Sequence, residues 1–117
     1  MNLFSRKPKA TVTVTYISHS GASRAVAVPI DNSVMEGAIN NNVEGIVAEC
    51  GGSCMCATCH VYVDEAFLGK LAPIAENEEE MLNNTASPRL ANSRLSCQIK
   101  VTGELDGLIV RTPETQQ

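Results

Sequence analysis

Five cysteines carry the first chemical signal in the chain: Cys50, Cys54, Cys56 and Cys59 fall within ten residues, and Cys97 stands alone further on. Thiolates bind metals, pair as disulfides or act as nucleophiles, and their spacing separates these chemistries. A disulfide framework suits small secreted chains with an even cysteine count. Here the count is odd, and the N-terminus has no apolar stretch long enough for secretion. Cys56-Ala57-Thr58-Cys59 has the spacing of a dithiol redox motif, but such a motif follows a strand and opens a helix. His60-Val61-Tyr62-Val63-Asp64 instead reads as a strand after it. Structural zinc commonly takes two closely spaced pairs, and only one C-x2-C pair is present. A 2Fe-2S cluster needs four thiolates and tolerates one on a distant element. Cys50, Cys56 and Cys59 give C-x5-C-x2-C, with Cys97 as the distant thiolate. The plant-type C-x4-C-x2-C register fails, because from Cys54 it demands a cysteine at Tyr62 and from Cys50 one at Met55. Gly51, Gly52, Ser53, Ala57 and Thr58 are small enough for a backbone that curls around a cluster and aims N–H groups at its sulfurs.

The elements that must position these thiols are legible as patterns. Thr11 to Ile17 alternates as a strand should, and Ser18-His19-Ser20-Gly21 supplies a turn before a second strand over Arg24 to Val28. Ser33 and Glu36 have capping-box spacing ahead of a short helix over 34–40, with Val34, Ala38 and Ile39 expected on its buried face. Gly37 weakens that helix relative to Ala, so packing must hold it. Residues 50–59 read as a loop. Glu76 to Leu82 reads as an acidic helix docked through Met81 and Leu82, and Arg94 to Val101 alternates over eight positions as a strand. A turn over Gly103 to Gly107 leads to a last strand, Leu108-Ile109-Val110. The expected organisation is one mixed α+β domain over 11–113, between a flexible N-terminus (1–10) and a polar C-terminal tail (114–117).

Composition narrows the function. At 117 residues, 44% hydrophobic and 19% charged, the chain is large enough for one modest core and too small for a cleft between lobes. Only 3% of residues are aromatic, which leaves no stacking platform for nucleic acid. The longest tempting apolar run, Ala25 to Ile30, contains a proline and cannot span a bilayer. No nucleophile–base motif or phosphate loop appears, so an enzyme is not expected. The net charge of −4 hides a segregation: Asp31 to Pro88 carries ten acids against Lys70 alone. An anionic middle repels nucleic acid and suits a basic protein partner.

The segments Cys50 to Val63, Ser93 to Ile99 and Glu104 to Val110 resemble the adrenodoxin and putidaredoxin family of 2Fe-2S ferredoxins, over about Thr11 to Pro113. The resemblance implies a β-grasp fold and a one-electron carrier holding one 2Fe-2S cluster. It implies a ferredoxin reductase (flavoprotein) as donor and a cytochrome P-450 as acceptor. By position, Cys50, Cys56, Cys59 and Cys97 match the family's ligands. Glu76, Glu78, Glu79, Glu80 and Met81 match its partner-recognition helix. Glu49 is expected as a further partner contact, and Met55 either contacts a partner or shields the cluster. His60 resembles a histidine that ties the cluster loop to the body, and His19 is expected to be exposed. Cys54 is an extra thiol also seen in the family's iron–sulfur assembly ferredoxins, and a role in cluster assembly is the alternative function. The GGS loop and the ELDGLIV ending resemble the monooxygenase-supporting members more closely. A redox sensor would need an output element, and none is visible. A terminal Trp in the family is Gln117 here, so removal of 114–117 is expected to alter electron transfer little. A monomer in a bacterial cytoplasm is expected, or the mitochondrial matrix for a eukaryotic source.

Overall fold

The computed structural model describes residues 10–43, 45, 46, 58–114 and 116. A mixed five-stranded sheet is its frame: β1 (Thr11–Ile17), β2 (Ser23–Pro29), β3 (His60–Val63), β4 (Ser93–Leu95) and β5 (Leu108–Arg111). Their order is β2-β1-β5-β3-β4. β1 and β2 form an antiparallel hairpin with Val14 opposite Val26. β1 runs parallel to β5, and β3 lies antiparallel to both β5 and β4. This is the β-grasp arrangement expected. Val12, Val14, Tyr16, Val26 and Val28 point from the hairpin into one core, as the alternation predicts. Among the described residues, no helix is long and apolar enough to cross a membrane.

Helix α1 (Val34–Asn40) starts at a complete capping box: the Glu36 N–H donates to Ser33 Oγ at 3.0 Å, and the Ser33 N–H donates to Glu36 Oε1 at 2.8 Å. Its buried face is Val34, Met35, Gly37 and Ala38, and Ile39 is 45% exposed, which corrects the expected face. Burial of an aliphatic side chain such as Val34 contributes about 1.5–3 kcal/mol. The Tyr16 hydroxyl donates to the Val34 carbonyl at 2.6 Å, fastening the helix to the hairpin. Gly37 explains itself here: a Cβ would lie 2.6 Å from Val28 Cγ2 and 2.7 Å from the Tyr16 hydroxyl. The helix sits that close only because it has no side chain there.

Two helices follow β3. Helix α2 (Glu65–Leu68), absent from the sequence reading, is capped by Asp64, whose Oδ1 accepts from the Ala66 N–H at 3.0 Å. Helix α3 (Glu76–Leu82) is the acidic helix, with Leu82 buried and Met81 packed partly against the core. The long strand expected over 94–101 is a correction: β4 ends at Leu95, and Ser96–Gln98 turns as a 3-10 helix. Its continuation pairs with α1 instead, through a bridge between Ser33 and Lys100 and a Val34 N–H bond to the Ile99 carbonyl at 2.9 Å.

Gly37→Ala separates packing from propensity. Ala is better than Gly by about 1 kcal/mol in an open helix. Here overpacking against Val28 and Tyr16 is expected to give a net loss of about 1–2 kcal/mol. Thermal unfolding checks it, and a raised midpoint contradicts the packing account.

Candidate functional site

Cys59 ends the turn that enters β3, and Cys97 lies in the 3-10 turn that leaves β4. Pairing of β3 with β4 sets His60 opposite Leu95, so the two cysteines emerge from the same end of the strand pair. Ser96 locks them: its N–H donates to the Cys59 carbonyl at 2.9 Å, and its hydroxyl donates to the same oxygen at 2.8 Å. The backbone bond extends the β3–β4 ladder by one pair, and the chain turns only after it, where the Ile99 N–H donates back to the Ser96 carbonyl at 3.3 Å.

Cys59 is fully buried and Cys97 half-buried. Its contact with Cys97 first, and burial second, push the Cys59 thiol far above the usual range. Two thiolates in contact, one buried and one half-buried, are tenable only beside a cation, so this pair suits a metal centre and fits half of a cluster's thiolate set. Gln98 Nε2 also donates to Cys97 Sγ at 3.5 Å, a bond of the kind that tunes a cluster's potential. Among the described residues, no three metal-ligating side chains stand together. Cys50, Cys54, Cys56, Glu49 and Met55 lie outside the described residues.

The acidic helix divides in two. Glu78 is a correction to the docking face: it is 1% exposed and turned inward. Its carboxylate accepts from Arg94 Nε at 2.7 Å, from Arg94 Nη2 at 2.9 Å and from the Leu95 N–H at 2.9 Å. Arg94 also donates to the Ala72 carbonyl at 2.9 Å. Glu76, Glu79 and Glu80 are exposed, and Glu79 makes a two-pronged ion pair with Arg89 at 2.7 and 2.9 Å. That hydrogen-bonded guanidinium holds the Glu79 carboxyl below the usual carboxylate range. Arg89 and Arg94 lie just past the acid-rich stretch and neutralise two of its charges. The spacing of Glu78 to Leu82, one helical turn, was the signal for the inward acid.

His60 is fully buried, and its ring meets Tyr62 edge-on with centroids 4.7 Å apart. Nε2 shares a 2.8 Å hydrogen bond with Ser93 Oγ, which also accepts from the Leu90 N–H at 2.8 Å. Nδ1 has no partner among the described residues. Burial, with a smaller contribution from the Arg89 charge, lowers the His60 pKa to about 4, so the ring is neutral at neutral pH. His19 is exposed, 3.7 Å from Glu114. Within the polar tail, Gln116 is buried. It accepts from the His60 N–H at 3.2 Å and donates to the carbonyls of His60 at 2.8 Å and Gly45 at 2.7 Å. A polar residue near the end of a chain gives no sequence signal for such a role.

Residues 17–102 match the 2Fe-2S iron-sulfur cluster binding domain. The chain is 54% identical to rhodocoxin of Rhodococcus erythropolis over 104 residues, covering 89% of this chain and 97% of rhodocoxin. The crystal structure of a ferredoxin from Rhodopseudomonas palustris HaA2 superposes with a TM-score of 0.88 at 53% identity, over 90% of this chain and 99% of that one. A chain of the covalent putidaredoxin reductase–putidaredoxin complex superposes with a TM-score of 0.84 at 48% identity, over 86% of this chain and 97% of that one.

The two arginine pairs differ in consequence. Arg94→Leu strands the Glu78 carboxylate in the interior and is expected to cost about 3–5 kcal/mol, of which Glu78→Leu on the same chain recovers a large part. Glu79→Gln at the exposed pair leaves the unfolding midpoint nearly unchanged. Denaturant unfolding of the three variants checks this, and equal losses for Arg94→Leu and Glu79→Gln contradict it.

Proposed function

This chain belongs to the putidaredoxin-type 2Fe-2S ferredoxins, electron-transfer proteins with one 2Fe-2S cluster, and on that premise we propose which residues hold the cluster and which partners it serves. Cys50, Cys56, Cys59 and Cys97 are the ligands. The observation that carries this assignment is the convergence of Cys59 and Cys97, two thiols far apart in sequence brought into contact by β3, β4 and Ser96. When bound, the cluster accepts and returns one electron. The chain's own residues hold it at the end of the sheet, where the half-exposed Cys97 borders a surface cleft of about 500 Å³ that also has Lys70 and Lys100 in its wall. A ligand at the surface shortens the path to a partner.

The donor is a flavoprotein ferredoxin reductase, a reading supported by the likeness to a chain of the putidaredoxin reductase–putidaredoxin complex. The acceptor is a cytochrome P-450, as the family resemblance and the ELDGLIV ending imply. Glu76, Glu79 and Glu80, with Met81 beside them, form the docking face. Glu78 belongs to the interior instead. Carriers need complexes that form and part quickly, and exposed like charges on one helix steer a basic partner without adding a large buried interface.

Two outcomes test the proposal. Cys50→Ser, Cys56→Ser, Cys59→Ser and Cys97→Ser are each expected to lose the normal visible spectrum and iron content, while Cys54→Ser retains both. Full cluster content in any of the first four contradicts the ligand set. Charge reversal at Glu76 and Glu80 together is expected to slow association with the reductase or the P-450 about tenfold at low salt, an effect that shrinks as screening approaches 10 Å at about 0.1 M. Stopped-flow rates indifferent to both salt and reversal contradict the docking face.

A further inference from the structure

We propose that the side-chain amide of Gln116 is a clip that holds together the two ends of the cysteine-bearing segment and controls how long the cluster is retained. This positioning role rests on the ligand assignment above, and it acts through the backbone of Gly45 and His60. One amide meets three backbone groups: Oε1 accepts from the His60 N–H, and Nε2 donates to the carbonyls of His60 and Gly45. Gln116 thereby treats His60 as a neighbouring strand would, and uses its second N–H to capture the chain fifteen residues upstream. In sequence, Cys50, Cys54, Cys56 and Cys59 all lie between those two anchors.

Gly45 is shaped for this contact. Its φ of +97° lies in the left-handed region, and a Cβ there would sit 2.5 Å from Thr112 Oγ1. Thr112 is itself fixed, because its N–H donates to the Ile17 carbonyl at 2.8 Å. The chain just past β5 thus supplies both the seat for Gly45 and, four residues on, the amide that binds it. An apolar side chain at 116 could fill the same space but would leave the three backbone groups unmet, at a desolvation cost for each. Release of a ligated cluster requires the segment to open locally, and tying its ends raises the free energy of that opening.

The test uses the holoprotein with Gln116→Ala and Gln116→Glu. The second keeps the length and the acceptor but removes both donors and sets a carboxylate against two carbonyl oxygens. Iron release to excess chelator, followed by bleaching of the visible absorbance, is expected to run about tenfold faster in both variants. Amide hydrogen exchange should accelerate at His60 and stay unchanged at Val14 in β1, a difference that a general loss of stability does not produce. Unchanged release, or acceleration at His60 and Val14 alike, overturns the clip. If neither variant takes up a cluster, exchange in the unmodified holoprotein decides: His60 N–H protected like Val61 N–H supports the clip, and unprotected exchange overturns it. Cys97→Ser is the separate control, since full cluster content in that variant overturns the ligand assignment while leaving the exchange result at His60 to judge the clip.

Discussion

The buried ion pair between Glu78 and Arg94 is the contact on which the placement of the site depends. Three donors converge on one carboxylate: two from the Arg94 guanidinium and one from the Leu95 backbone. Removing two charges from water is costly, and a hydrophobic pair of similar volume can be as stable. What this pair adds is direction. The Leu95 N–H is fixed at the last residue of β4, so the chain enters the 3-10 turn from a defined point, and Ser96 can reach the Cys59 carbonyl with two bonds. The acidic helix, the strand and the cysteine pair are therefore one connected piece. A change at α3 is mechanically close to Cys59 and Cys97.

The same contact alters how the charge of the chain acts. The stretch from Asp31 to Pro88 is strongly anionic in sequence, but Glu78 is spent inside the fold and Glu79 is balanced by Arg89. The exposed acids of α3 are thereby a smaller set, of which Glu76 and Glu80 carry no ion pair among the described residues. A carrier profits from that economy, because a modest field speeds encounter without holding the complex together. The cleft beside Cys97 is lined by Lys70 and Lys100 together with the single acid Glu104.

Local signals made much of the frame legible. The hairpin followed from strict alternation, α1 from its capping box, and α3 from its acids and the Met81-Leu82 pair. The cysteine spacing pointed to the cluster before any fold was known. What was not legible depended on contacts distant in sequence. Glu78 has the composition of its neighbours, and only its register with Leu82 marks it as the inward member. The alternation after Arg94 continues in sequence, yet the chain turns at Ser96–Gln98, where the Ile99 N–H bonds back to the Ser96 carbonyl, and its continuation pairs with Ser33 instead. Ile39 is apolar but one position off the face that packs on Tyr16 and Val28. Gln116 carries no local pattern, since its value lies wholly in reaching His60 and Gly45.

The central claim is that the strand pair β3–β4 presents Cys59 and Cys97 as a preformed half of the cluster site. Two thiols held in contact by the protein would complete the same iron of a bound cluster. A crystal structure of the oxidised holoprotein, with anomalous scattering collected at the iron edge, measures this directly. The account predicts Cys59 Sγ and Cys97 Sγ bonded to one iron, with Ser96 still bound to the Cys59 carbonyl. Sulfurs of Cys59 and Cys97 on different irons, or either of them away from the cluster, would contradict it.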